Sequence, residues 1–189
     1  MWLIYFLGAS VGLTAIVQVA PLAATMPKTA AALTAGMTVG IVAVFNGVGR
    51  LIWGSISDRL GRVRTMCIMG LCAAVACGFL VRGATGIGQL LVGLCLAVFA
   101  FGGYLALMPA VTADYYGPKN VGANYGLVFT AFGVSGFFMP RHLAGLVDAA
   151  KKGGNIAAGY DHVYVILACM ACAGGLLALA LRAPRSQAE

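Results

Sequence analysis

Charge is what this sequence has least of. Only 9% of its 189 residues are charged, just five residues are acidic, and there are two histidines. A soluble domain carries about 25% charged residues, so an ordinary wetted surface is excluded. The same scarcity argues against an enzyme. General acid–base or metal-assisted chemistry needs a cluster of His, Asp or Glu, whereas His142 and His162 stand alone and no acidic residue lies inside a long apolar run. The six cysteines, Cys67, Cys72, Cys77, Cys95, Cys169 and Cys172, sit in apolar stretches with no His or carboxylate at metal-ligand spacing. Cys169 and Cys172 have the spacing of a redox pair but lie among Ala, Leu and Met, and are read as small buried hydrophobes. No metal and no cofactor is expected.

Apolar residues are abundant instead. They make up 61% of the chain, and the mean hydropathy is +0.96. A bilayer is therefore the expected solvent. A spanning helix takes about 20 apolar residues, and six such segments can be read: 2–24, 31–56, 65–82, 87–112, 123–147 and 161–181. Turns are expected at Pro27-Lys28, Asp58 to Arg64, Arg82-Gly83, Asp114 to Asn120 and Lys151 to Asn155. The 27 glycines suit close helix packing in lipid. The expected fold is an all-α membrane protein, a six-transmembrane-helix bundle occupying residues 1–189 as one unit.

The net charge of +7 raises the question of nucleic acid, but the basic residues are scattered between apolar spans. Basic loops beside a bilayer set orientation, because Lys and Arg stay on the cytoplasmic side. With the N-terminus inside, Arg59, Arg62, Arg64, Lys119, Arg182 and Arg185 face the cytoplasm, and Lys28, Arg82, Lys151 and Lys152 face out. The balance favours both termini inside. The first segment lacks a basic lead and is too long for a signal peptide. Met1 is followed at once by Trp2-Leu3-Ile4-Tyr5-Phe6 with no polar tail, which reads as a start in the middle of something longer.

The richest stretch runs from Asn46 to Arg64. Arg50 lies about seven residues, or ~10 Å, above a strongly basic turn, deep enough to strain snorkelling. An arginine near a helix centre costs about 2.5–3.5 kcal/mol on insertion scales, so it should face a partner or an aqueous cavity. Its planar fork of donors suits a carboxylate. Asn46, one turn earlier on the same face, can orient it. A structural ion pair is the competing explanation. Below it, Asp58 among Arg59, Arg62 and Arg64 forms a candidate conformational latch. There an acid can pair with arginines or cap a helix N-terminus, and Gly54 and Gly61 permit close approach and a tight turn.

The run Gly54-x-x-x-Asp58-Arg59-x-Gly61-Arg62-x-Arg64 resembles the loop signature of the major facilitator superfamily. Tyr5 to Ser10, Phe45-Asn46-Gly47-x-Gly49-Arg50, Met108 to Gly117 and Asn120 to Ala131 are similar to the C-terminal six-helix half of oxalate/formate-antiporter-type members. The resemblance implies paired three-helix inverted repeats and a substrate site near the bilayer midplane, reached by alternating access. It implies a carboxylate-binding role for Arg50 and an aromatic site position at Tyr104, which as a bare sequence feature reads as packing. Phe129 and Phe132 share a stripe of the fifth segment. Oxalate-transporting members are expected to carry lysine where Phe132 stands, so a monocarboxylate fits this chain better than a dianion. Arg141 and His142, after Pro140, depart from the family's apolar pattern and are read as snorkelling outward.

The expectation is thus a secondary transporter, or half of one, for small organic anions in a bacterial inner membrane. Its partners would be the lipid bilayer, a small carboxylate, and a separately encoded N-terminal half or a second copy, with no nucleic acid. The alternative is a truncated, non-transporting membrane fragment.

Overall fold

The computed structural model describes residues 1–25 and 35–181. Pro27, Lys28, the start of the second expected span, Arg182 and Arg185 lie outside the described residues. The described residues form six helical stretches long and apolar enough to cross a membrane, built on α1 (Trp2–Ala23), α2 (Ala35–Leu60), α3 (Arg62–Val75, which reaches that length only with the π-helical turn after it), α4 (Ile87–Tyr116), α5 (Val121–Lys152) and α6 (Ile156–Ala178). A π-helical segment, Ala76–Val81, extends α3. An even number of crossings brings the start of α1 and the end of α6 to the same side, here called the termini face.

The helices outrun the apolar windows that announced them. The expected basic turn of Asp58 to Arg64 shrinks to one residue, Gly61, with φ of 86°, while Asp58 and Arg59 complete α2 and Arg62 and Arg64 open α3. Asp114 likewise belongs to α4, and Lys151 and Lys152 to α5. Arg and Lys are good helix formers, and a single Asp costs a running helix well under about 1 kcal/mol, whereas hydropathy registers only the apolar middle. Pro140 lies inside α5 without ending it.

Packing follows a two-fold pattern. The most extensive contact is α2 on α4, then α1 on α5, then α3 on α6. Exchanging the first three helices for the last three turns the first of these into the second and leaves the third unchanged. That is the signature of an internal three-helix repeat. Glycine sets the closest crossings. A Cβ on Gly49 would sit 2.2 Å from the Phe99 carbonyl oxygen, and one on Gly102 2.2 Å from that of Asn46. Gly70 and Gly175 do the same between α3 and α6. In lipid, where apolar surface gains nothing by leaving water, such backbone approach is a main source of helix association.

Candidate functional site

Arg50 stands on an open face of α2. Its Nη2 donates to Asn46 Oδ1 at 3.1 Å, and the buried Asn46 passes its own amide N–H to the Val98 carbonyl of α4 at 3.5 Å. Asn46 is therefore a bracket between α2 and α4 that also orients the guanidinium. Among the described residues Arg50 has no acidic partner. It lines a groove of about 430 Å³ between α1 and α2, whose other walls are Ile16, Val19, Val39, Val42, Ala43, Asn46 and Gly47. An unpaired guanidinium at the end of an apolar trough is a place for an anion with a small apolar body.

The stripe on α5 comes together as an aromatic cluster. Phe129 and Phe132 stack with centroids 5.0 Å apart, Tyr125 meets Phe129 at 5.5 Å, and Tyr5 of α1 lies 6.2 Å from both phenylalanines. Phe132 also stacks on Phe101 at 6.2 Å. The next residue of α4, Gly102, lies against the backbone of Asn46 and Arg50. One short stretch of α4 thus carries the arginine segment on one side and the aromatic cluster on the other.

Tyr104 is placed elsewhere. It is 2% exposed, its ring lies over Gly8, and it faces a tight core gap with Val11, Gly70, Ala73 and Ala171, away from the Arg50 groove. The expected aromatic site position is a core position in this conformation. Tyr5 and Tyr125, not singled out as site residues from the sequence, join the aromatic cluster of Phe129 and Phe132 instead. A tyrosine at each position was legible, but nothing in one helix says which other helix it meets.

The latch forms around a single cation. Arg62 bonds Asp58 at 2.6 Å, Ser57 Oγ at 2.8 Å and Asp114 at the end of α4 at 3.1 Å. It ties α2, α3 and α4 at the termini face. No side chain caps α3, and among the described residues Arg59 and Arg64 have no acidic partner. Gly54 meets nothing within 4 Å among the described residues, so the close approach expected there is not made by them. Arg141 and His142 are both exposed. Among the described residues no metal-binding cluster occurs, and the cysteines are free. At the opposite face a cavity of about 460 Å³ surrounds Arg82, but that arginine is already bonded to Asp161.

The sequence model of the Major Facilitator Superfamily matches residues 1–189. The chain belongs to the major facilitator superfamily. It is 32% identical over 139 residues to an oxalate:formate antiporter of Oxalobacter formigenes, covering 73% of this chain and 33% of that protein. It is 34% identical over 94 residues to apicoplast pyruvate carrier 2 of Toxoplasma gondii, covering 49% of the chain and 14% of the carrier. An uncharacterized transporter of the superfamily from Escherichia coli, YhjX, is 26% identical over 102 residues, covering 54% and 25%. The chain spans about a third or less of these relatives. Six apolar helices and this membership make it a multi-pass integral membrane protein.

Proposed function

We propose that the chain is one six-helix half of a secondary transporter for small organic anions, most simply monocarboxylates, working by alternating access. The carrying observation is Arg50, a cation on the open face of a membrane-length apolar helix with no acidic partner among the described residues, held by Asn46 at the end of an apolar groove. Arg50 and Asn46 grip the carboxylate and the apolar walls of that groove take the substrate body, while Phe129 and Phe132, expected in the site from the sequence, lie outside the lining of the groove. A single cation suits a single carboxylate. An oxalate:formate antiporter and a pyruvate carrier among the relatives support that class of substrate. The ties of Arg62 to Asp58 and Asp114 act as a latch that breaks and reforms as the halves rock.

The exposed faces of α2 and α5 support the need for a partner. They carry Val44, Phe45, Leu51, Leu127, Phe137 and Phe138, all at least 40% exposed. A separately encoded N-terminal half or, less simply, a second copy would cover them. The same open face favours the second reading, that a chain without such a partner inserts and moves nothing. We place both termini on the cytoplasmic side of a bacterial inner membrane. In a cysteine-free background, Lys151→Cys should label from outside and Arg62→Cys should not; the reverse pattern refutes the orientation. Function is tested by uptake of labelled formate and pyruvate into proteoliposomes, with and without a co-expressed N-terminal half. Arg50→Gln should abolish any uptake, and uptake that survives it defeats the assignment.

A further inference from the structure

We propose that the groove beside Arg50 takes a monocarboxylate of about six to eight carbons, its carboxylate on Arg50 and its apolar tail laid along α2. This rests on the reading of Arg50 given above and narrows the substrate class within it.

The groove is a gap that helix packing leaves. Gly49 and Gly102 draw α2 against α4, and the contact of α2 with α1 is slight by comparison. On the α1 side the walls are Ile16 and the fully buried Val19. On the α2 side Val39, Val42, Ala43, Asn46, Gly47 and Arg50 recur at three- and four-residue spacings, so they form one stripe of the helix. From Val39 to Arg50 that stripe runs about 16 Å at 1.5 Å per residue. Small residues keep it open. Ala43 lies in its middle, and a Cβ at Gly47 would meet nothing within 4 Å among the described residues.

The chemistry of the lining is divided. Among the described residues of the groove, Asn46 and Arg50 alone are polar, and they lie one turn apart at the end nearer the termini face. The remaining walls are aliphatic or glycine. A cation at one end of an aliphatic groove is complementary to an anion with a tail. The cavity of Arg82 at the opposite face lacks this character, because Asp161 already takes up its charge.

Volume sets the tail length. At ~30 Å³ per non-hydrogen atom, a water's share of its liquid, octanoate needs ~300 Å³ of the 430 Å³ groove. On the same scale pyruvate fills less than half of it, and formate less still. Aliphatic wall left without contact atoms contributes nothing to binding, so each methylene that reaches it adds affinity. Full burial of a methylene from water strengthens binding about fourfold. Val39 and Ala43 are exposed, and this open side reduces the gain to about twofold.

The test is equilibrium dialysis of labelled acetate, butyrate, hexanoate and octanoate against the reconstituted full chain, referred to free aqueous ligand. Octanamide is the neutral counterpart. Wild type is compared with Arg50→Gln, Ala43→Phe and Val44→Phe. Saturable, Arg50-dependent affinity should rise about twofold per methylene, to about 50-fold for octanoate over acetate. Octanamide should show no saturable binding. Ala43→Phe plugs the middle of the groove from an exposed position and should cut the octanoate-to-acetate ratio at least about tenfold. Val44→Phe, on the next residue but outside the lining, should keep the wild-type ratio. Arg50-dependent binding that is flat or falls with chain length overturns this inference alone. An unchanged ratio in Ala43→Phe overturns it too, by placing the tail elsewhere. So does octanamide binding as tightly as octanoate, which would mark the groove as a resting place for lipid tails. Loss of the chain-length gain on co-expression of an N-terminal half assigns the groove to that partner's helices and likewise overturns it. No Arg50-dependent binding in wild type defeats the reading of the site and this inference with it.

Discussion

Helices α1 and α4 and helices α2 and α5 are counterparts within the internal repeat, yet they live in different surroundings. In their most apolar stretches α1 and α4 bury 61% and 67% of residues, whereas α2 and α5 bury 17% each. The inner pair spends its glycines on close packing: Gly8 and Gly12 receive the rings of Tyr104 and Phe101, and Gly102 touches the backbone of α2. On the outer pair Gly49 faces α4 just as closely, but Gly47, Gly54, Gly122, Gly126 and Gly133 meet nothing within 4 Å among the described residues. The outer pair also carries the substrate candidates Arg50, Asn46, Phe129 and Phe132. The inner helices hold the bundle together, and the outer ones present chemistry on a face that the bundle leaves free.

The sharpest way to break this contrast is a large side chain at matched glycines. Gly102→Leu should prevent the α2–α4 crossing, costing at least about 1–3 kcal/mol, because a backbone carbonyl cannot yield as a side chain can. Gly126→Leu should leave melting in detergent within about 0.5 kcal/mol of wild type. Equal losses would show that the open face is packed in the folded protein. Scanning thermostability by size-exclusion chromatography reads both.

A second contrast separates charge from shape at Arg50. Arg50→Gln should end carboxylate binding while membrane insertion persists or improves, since a cation costing about 2.5–3.5 kcal/mol in the span is gone. Arg50→Lys keeps charge without the fork, and binding should fall at least about tenfold. Unchanged binding in either variant would make Arg50 structural, and matched expression and helicity are the controls.

Smaller effects belong to the termini face. Arg62→Gln removes the partner of both Asp58 and Asp114, yet those carboxylates are 67% and 47% exposed, so solvent screening holds the stability loss to under about 1 kcal/mol. Its larger consequence should be on conformation. Thiol labelling of Ser57→Cys should speed up in the Gln variant, and an unchanged rate would deny the latch. The mildest change is Phe138→Ser on the open face of α5, where the side chain is 58% exposed. It should leave stability of the lone chain within about 0.5 kcal/mol and weaken only association with a partner half, measured by co-purification.

How much of this was legible depends on the physics that writes each signal. A membrane span announces itself by composition, so six helices could be counted from the sequence. Arg50 stood out for the same reason, as a charge that lipid does not tolerate without cause. The ends of the helices were less clear. Asp58, Asp114 and Lys152 are helical, but hydropathy marks where water begins, and these helices run on into it.

What the sequence determined by itself is the solvent of this protein, the number of its long apolar helices, and the presence of an arginine, Arg50, within one of them. Those follow from the free energy of single residues in lipid. Tertiary structure alone decided that Tyr104 points into the core while Tyr5, far away along the chain, joins Phe129 and Phe132 in the aromatic cluster of α5. It also decided that Arg62 reaches across to Asp114. The physical reason lies in the solvent. In water a helix marks its buried face by being apolar there, but in lipid the outside is as apolar as the inside. Which face meets a neighbour is then written in the sizes of facing side chains, and that code has no meaning until the second helix is in place.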